Sequence, residues 1–358
     1  MSLLEINGLV TEFKTPQGTV RAVRDVSYRL ERGEILGIVG ESGSGKSVGM
    51  LSLMGLIAEN GRVAAGELLF DGEDLSPVGL TTPGERQKHD ARMRQLRGNE
   101  MAMIFQDPMT YLNPVLKIGS QITESIRLHL GYDRAAAREL AADLLARVGI
   151  SSPRERLRQY PYELSGGMRQ RVIIAIALSC NPKLLIADEP TTALDVTVQA
   201  QLLELISRMA RESGTSVIMI THDLGIVASM CDRIAIMYAG EIVEEGATDE
   251  IFYSPKHPYT VGLLGSVAGG RSRERQSLRP IPGTPPDLLK LPRGCAFTPR
   301  CPEAMRICPD FAPVSTEHSE TQRCRCWKYC RDSAREMVEA RAMAEKQTTA
   351  EKGVVLNG

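Results

Sequence analysis

The chain has 358 residues, enough for one large domain and an appendage. Hydrophobic residues make up 42% and charged residues 24%, an ordinary balance for a globular protein with a sizeable core. No apolar run approaches the roughly 18 residues that cross a bilayer, the N-terminal MSLLEINGLV lacks the features of a signal peptide, and a net charge of −1 offers no general attraction to nucleic acid.

In chain order, Glu34–Val39 is a short β-rich run that leads into Gly40-Glu-Ser-Gly-Ser-Gly-Lys46-Ser47. A glycine-rich loop between a strand and a helix is a phosphate cradle. Backbone N–H groups of Gly40, Ser42, Gly43, Ser44 and Gly45 can surround the phosphates, and the helix N-terminus adds its positive dipole end. Lys46 would reach the β- and γ-phosphates and Ser47 would ligate Mg²⁺, so ATP and Mg²⁺ are the expected cofactors.

Arg134–Val148 reads as a helix, with Ala137, Leu140, Leu144 and Val148 along one face. Leu184–Ala187 is an apolar strand from which Asp188 and Glu189 emerge at the C-terminal end, where open α/β sheets bind ligands. Asp188 can hold Mg²⁺ through water and Glu189 can polarise the attacking water. Val198–Met209 is a second helix, Ser216–Ile220 another strand, and Ile234–Tyr238 and Glu241–Glu244 flank Ala239-Gly240 as a hairpin would.

The texture changes at Pro255, because eleven of the 20 prolines fall in Pro255–Pro313 and long helices are not expected there. The expected domains are an α/β body over residues 1–252, a loop-rich appendage over 253–330 and a charged tail over 331–358, read as a frayed helix. Of the eight cysteines, Cys180 and Cys231 lie in the body and six crowd into Cys295–Cys330. Without a secretion signal, that crowding points to metal before disulfides.

Further motifs carry a specific resemblance. Leu164-Ser165-Gly166-Gly167-Met168-Arg-Gln-Arg resembles the signature sequence of ABC ATPases. Gln106 in Phe-Gln-Asp-Pro, Asp195 in Ala-Leu-Asp, and His222 after the strand at Ser216 stand where that family has its other motifs. The resemblance runs from Leu4 to Gly246. It implies an α/β phosphate-loop ATPase with a RecA-like core and antiparallel β and helical subdomains. Taken singly, Gln106 could be a surface residue, Asp195 a helix N-cap and His222 a strand-end histidine.

By that resemblance Phe13 occupies the place of the adenine-stacking aromatic, with a core phenylalanine as the rival reading. Gln106 would touch Mg²⁺ and the attacking water and sense a membrane subunit, and His222 would steady the γ-phosphate. Ser165, Gly166 and Gly167 would bind the γ-phosphate held by a second ATPase, so that two ATPase domains sandwich the nucleotide. Asp195 belongs to the same nucleotide site.

The runs Met103–Thr110 and Ala187–Asp195, together with His257-Pro-Tyr-Thr260, Ile281–Pro286 and Gly294–Pro302, resemble the ATPase subunits of oligopeptide and dipeptide permeases. Tyr111 departs from the serine usual there. The resemblance implies a subunit on the cytoplasmic face of the bacterial inner membrane, with a second, homologous ATPase, two permeases and a solute-binding protein as partners. The expected solute is a short peptide. Nickel, glutathione, sugars and peptide antibiotics are alternatives within the architecture, and translation, repair or redox-sensing ATPases are alternatives outside it. One motif set and no heptad run fit the translation and repair types badly.

The same resemblance implies a 4Fe–4S cluster in the appendage. Cys295, Cys301 and Cys308 are separated by five and six residues, unlike the pairs two to four apart that zinc favours. For the fourth ligand Cys326, next to Trp327, is preferred over Cys324, with Cys330 third. Zinc, or free thiols packed in a core, are the alternatives.

Overall fold

The computed structural model describes residues 2–106, 111–191, 195–266 and 281–330, with Asp332 and Glu336. The chain divides into two compact units, residues 1–241 and 242–358. The expected tail helix and the end of the run Met103–Thr110 lie outside the described residues, apart from those two positions.

The first unit holds two sheets. Strands β1 (Ser2–Thr15) and β2 (Gly18–Glu31) form an antiparallel pair, and β4 (Gly61–Phe70) and β5 (Glu73–Asp74) complete the order β2-β1-β4-β5. Leu4, Ile6 and Leu9 of β1 are fully buried with Leu30 and Leu68 from its neighbours. Each such side chain contributes on the order of 1.5–3 kcal/mol.

The second sheet is parallel. It runs β9 (Arg233–Tyr238), β3 (Ile35–Val39), β8 (Ser216–Thr221), β7 (Leu184–Asp188) and β6 (Met101–Ile104). Every residue of β3, β7 and β8 is buried, as expected of strands covered on both faces. The registers Val39↔Thr221, Asp188↔Ile220 and Ile104↔Ala187 bring four strand C-termini to one edge.

Helices follow the strands. The phosphate loop opens α1 (Lys46–Leu53), and α2 (Pro83–Leu96) begins at a capping box in which Thr82 accepts from the Glu85 N–H. Helices α3 (Ile118–Leu130), α4 (Arg134–Arg147) and α6 (Gly166–Ala177), with the short α5 (Pro153–Arg156), form a helical group. Ile118, Ile122 and Ile126 of α3 are buried, as are Ala137, Ala141, Leu144 and Leu145 of α4, while Leu140 is half-buried. Spacing of three and four residues makes one apolar face. Helix α7 (Val196–Ser213) extends past the expected Val198–Met209, with Gly214 in the left-handed conformation at its C-cap. Helix α8 (Leu224–Met230) follows β8. The expected turn at Ala239-Gly240 has both residues at positive φ, 48° and 85°.

In the second unit β10 (Glu241–Ala247) pairs with β12 (Arg323–Arg325), which also pairs with β11 (Ser315–Glu317). Helices α9 (Thr248–Tyr253) and α10 (Pro258–Gly265) come between. The Glu244 carboxylate is buried and accepts from the Lys256 and His257 N–H groups at 2.7 and 2.8 Å and from Gln322 Nε2 at 3.0 Å. Three donors satisfy a charge that burial would otherwise make costly.

His257 caps α10, its Nδ1 accepting from the Tyr259 N–H at 3.0 Å, which leaves the ring proton on Nε2. Burial pushes its pKa down to about 3. The unfolded ring titrates near about 6.5, so between those values the unfolded chain binds more protons. Stability from this site is fully present above about pH 6.5 and falls as pH drops, by up to about 1.4 kcal/mol per pH unit. Thermal unfolding followed across that window should show the slope. His257→Asn keeps a capping acceptor without a titrating ring and should flatten it, whereas equal slopes would contradict the assignment.

Candidate active site

The phosphate loop is shaped by its neighbours. A Cβ at Gly40 would lie 2.1 Å from the Met237 carbonyl oxygen, and one at Gly45 would lie 2.3 Å from that of Ala22. Gly45 also sits at φ 99°, where it is the N-cap of α1. Both positions need glycine. The Gly240 N–H donates to Ser44 O at 2.9 Å and fixes the loop against the end of β9.

Lys46 is buried, and its Nζ donates to Gly40 O at 2.8 Å, Glu41 O at 3.0 Å and Ser44 Oγ at 3.4 Å. Burial lowers its pKa, against the opposing pull of Glu189, Asp188 and Glu41. Ser47 Oγ donates to Asp188 Oδ1 at 3.0 Å. Burial raises the Asp188 pKa, aided by the Glu189 charge and opposed by the Ser47 hydrogen bond and Lys46. A hydroxyl and a buried carboxylate side by side form the kind of oxygen pair that suits Mg²⁺.

Glu189 follows β7 with φ 44°, an uncommon conformation for a residue with a side chain, and its N–H donates to Ile220 O at 2.9 Å. Gln106 Nε2 donates to Glu189 Oε2 at 3.0 Å, and His222 Nδ1 lies 3.3 Å from Oε1. Three strand ends therefore converge on one carboxylate. Tyr111 stacks on Phe105 with centroids 4.1 Å apart.

The remaining expected residues lie on other elements. Ser165 is the N-cap of α6, its side chain accepting from the Met168 N–H at 3.3 Å, and Gly166 and Gly167 form the first turn. Asp195 is the N-cap of α7 and accepts from the Val198 N–H at 3.0 Å. Phe13 is half-buried on β1, opposite Gly61, where a Cβ would come within 2.5 Å of the phenyl ring.

In the second unit Cys308, Trp327 and Cys330 form a buried cluster with Cys295, Ile307 and Phe311 against it. The neighbouring thiols act electrostatically on Cys295, Cys301 and Cys326, with Cys308 among the sources at each. Burial pushes Cys295 and Cys326 up to about 11, and the Phe297 and Lys328 N–H groups oppose that shift. Burial likewise raises Cys301, opposed by the Glu303 N–H. The Met305 N–H donates to Cys308 Sγ at 3.3 Å. Cys324 is driven up by burial and by the Glu244 charge ahead of its neighbouring thiols. Cys330 Sγ donates to Cys326 O at 3.3 Å and to Val314 O at 3.5 Å. Among the described residues no group of three or more His, Cys, Asp or Glu side chains is arranged to hold a single metal ion.

Comparison with known proteins identifies the family. The ABC transporter family model matches residues 23–192, and the oligopeptide/dipeptide transporter C-terminal region matches residues 243–308. The oligopeptide transport ATP-binding protein OppD of Bacillus subtilis is 51% identical over 91% of this chain and 88% of its own length. The chain belongs to the oligopeptide/dipeptide group of ABC transporter ATP-binding proteins. OppD of Salmonella typhimurium is 51% identical over 87% of this chain and 90% of its own, and the dipeptide transport protein DppD of Bacillus subtilis is 49% identical over 91% and 94%. A solved dimeric bacterial ABC transporter cassette, 25% identical, matches with a TM-score of 0.58 over 68% of this chain and 98% of its own. The first unit is thus an ABC ATPase cassette, and no helix among the described residues is long and apolar enough to cross a membrane.

Proposed function

We propose that this chain hydrolyses ATP to energise uptake of di- and oligopeptides, acting peripherally on the cytoplasmic face of the membrane. The observation that carries the reading is the Glu189 carboxylate, held at both oxygens by Gln106 and His222 beside the Lys46 loop. Lys46 and the backbone from Gly40 to Gly45 bind the β- and γ-phosphates, and Phe13 takes the adenine. Ser47, Asp188 and Gln106 would hold Mg²⁺, which would supply positive charge beside the phosphates. Glu189 accepts the proton of the attacking water while His222 steadies the γ-phosphate.

Ser165, Gly166 and Gly167 lie at the partly exposed N-terminus of α6, suited to the γ-phosphate on a second, homologous ATPase. Asp195 serves the same interface. The exposed side chains of Tyr111, Val115 and Leu116, between β6 and α3, give a partly apolar docking surface for a permease. Two permeases and a solute-binding protein complete the importer, and the names of the relatives support peptide as the solute.

Cys295, Cys301, Cys308 and Cys326 would hold a 4Fe–4S cluster. Backbone N–H groups directed at all four sulfurs suit thiolates on such a cluster. A polynuclear cluster also needs its thiolates spread farther than a single zinc ion does. When bound, it would cross-link a segment that has a small apolar core of its own.

Tagged chain purified from its native membranes should bring down two permeases and a second ATPase. Recovery with ribosomal or DNA-repair proteins instead, and without permeases, would overturn the reading.

A further inference from the structure

Gln170 sits on α6, five residues after Ser165, and is 1% exposed. Its Nε2 donates to the carbonyl oxygen of Pro190, the residue that follows Glu189. Its Oε1 is buried with no hydrogen-bond partner among the described residues. A glutamine buried with half its amide unsatisfied is a poor choice for stability, since an apolar side chain of equal volume would leave no orphan acceptor. The used half of the amide reaches the backbone where the chain leaves the left-handed conformation of Glu189. Such a conformation persists only where surrounding contacts over-determine it. The Glu189 N–H bond to Ile220 O holds one side of the residue, and Gln170 holds the other.

We propose that Gln170 is a positioning residue: it fixes the Pro190 carbonyl, and through it the Glu189 carboxylate, to the helix that bears Ser165, Gly166 and Gly167. Any displacement of α6 when those residues engage nucleotide is then transmitted to the Glu189 backbone. This rests on the reading of Glu189 as the base. Among the described residues Gln170 hydrogen-bonds the Pro190 carbonyl and no residue of the Gly40–Ser47 loop, so its loss acts on turnover and not on nucleotide binding.

The test uses the assembled transporter with Gln170→Met, which keeps the volume and removes the donor, and Gln170→Asn, which keeps the amide but shortens its reach. Both should lower kcat for ATP by about tenfold while ATP affinity stays within about twofold. The thermal midpoint of Gln170→Met should stay near that of the unchanged chain, because the orphan Oε1 disappears while the Pro190 carbonyl loses its donor, and the two changes offset. Wild-type kcat in either folded variant would overturn the proposal, and so would failure of both to fold, which would make Gln170 a core residue. Glu189→Gln measured beside them separates the two ideas. If that variant keeps turnover, the base assignment has failed; if it is inactive while Gln170→Met is fully active, the positioning role alone has failed.

Discussion

Replacing Glu189 by glutamine is expected to reduce ATP turnover at this site by about a hundredfold or more while leaving nucleotide bound. The carboxylate is the group on which Gln106 and His222 converge, at 3.0 and 3.3 Å. An amide cannot take the proton from water at neutral pH. It leaves the phosphate-binding apparatus intact, because Lys46 and the loop backbone lie on other elements. Glu189→Gln should therefore accumulate an ATP-loaded, closed state, whereas Lys46→Ala should lose ATP affinity itself. Nucleotide binding and single-site turnover, with the partner ATPase separately inactivated, distinguish the two. Near-normal turnover in Glu189→Gln would remove Glu189 from the role of base.

Protein purified without oxygen is expected to be brown and to contain iron and acid-labile sulfide. Single alanine substitutions at Cys295, Cys301, Cys308 or Cys326 should abolish the colour. Cys324→Ala and Cys330→Ala should retain it, since burial and the Glu244 charge disfavour a Cys324 thiolate and the Cys330 thiol donates to carbonyl oxygens. Basal ATP hydrolysis should survive, because the residues proposed to bind nucleotide all belong to the first unit. Assembly with the permeases is the expected casualty. Colourless protein with one zinc per chain would contradict the cluster, and bleaching by Cys324→Ala but not Cys326→Ala would move the fourth ligand.

The buried parallel strands were legible because they are covered on both faces: Leu184–Asp188 and Ser216–Thr221 are nearly continuous apolar runs. The long antiparallel pair β1 and β2 was not, because bulges such as those between Ile6 and Leu9 interrupt the alternation that marks a strand. Helix α2 carries only Met93 and Leu96 into the core, so it shows no apolar period. The phosphate loop and the Asp188-Glu189 pair could be read directly, since each packs its chemistry into a few consecutive residues. The convergence of Gln106 and His222 on Glu189 could be reached only through resemblance, because it depends on three strand ends in register. Gln170 stands inside the signature-like run Leu164–Arg171, but no role for its side chain could be read there. A glutamine in a helix ordinarily faces water, and nothing local says that this one is buried.

The most direct measurement is ATP-driven uptake into proteoliposomes holding the two permeases, this chain, its partner ATPase and the solute-binding protein. Labelled short peptides should accumulate only with ATP, unlabelled peptide should compete, nickel and glutathione should not, and Glu189→Gln in this chain should stop accumulation. Uptake of nickel or glutathione in place of peptide, or peptide accumulation undiminished by Glu189→Gln, would contradict the account.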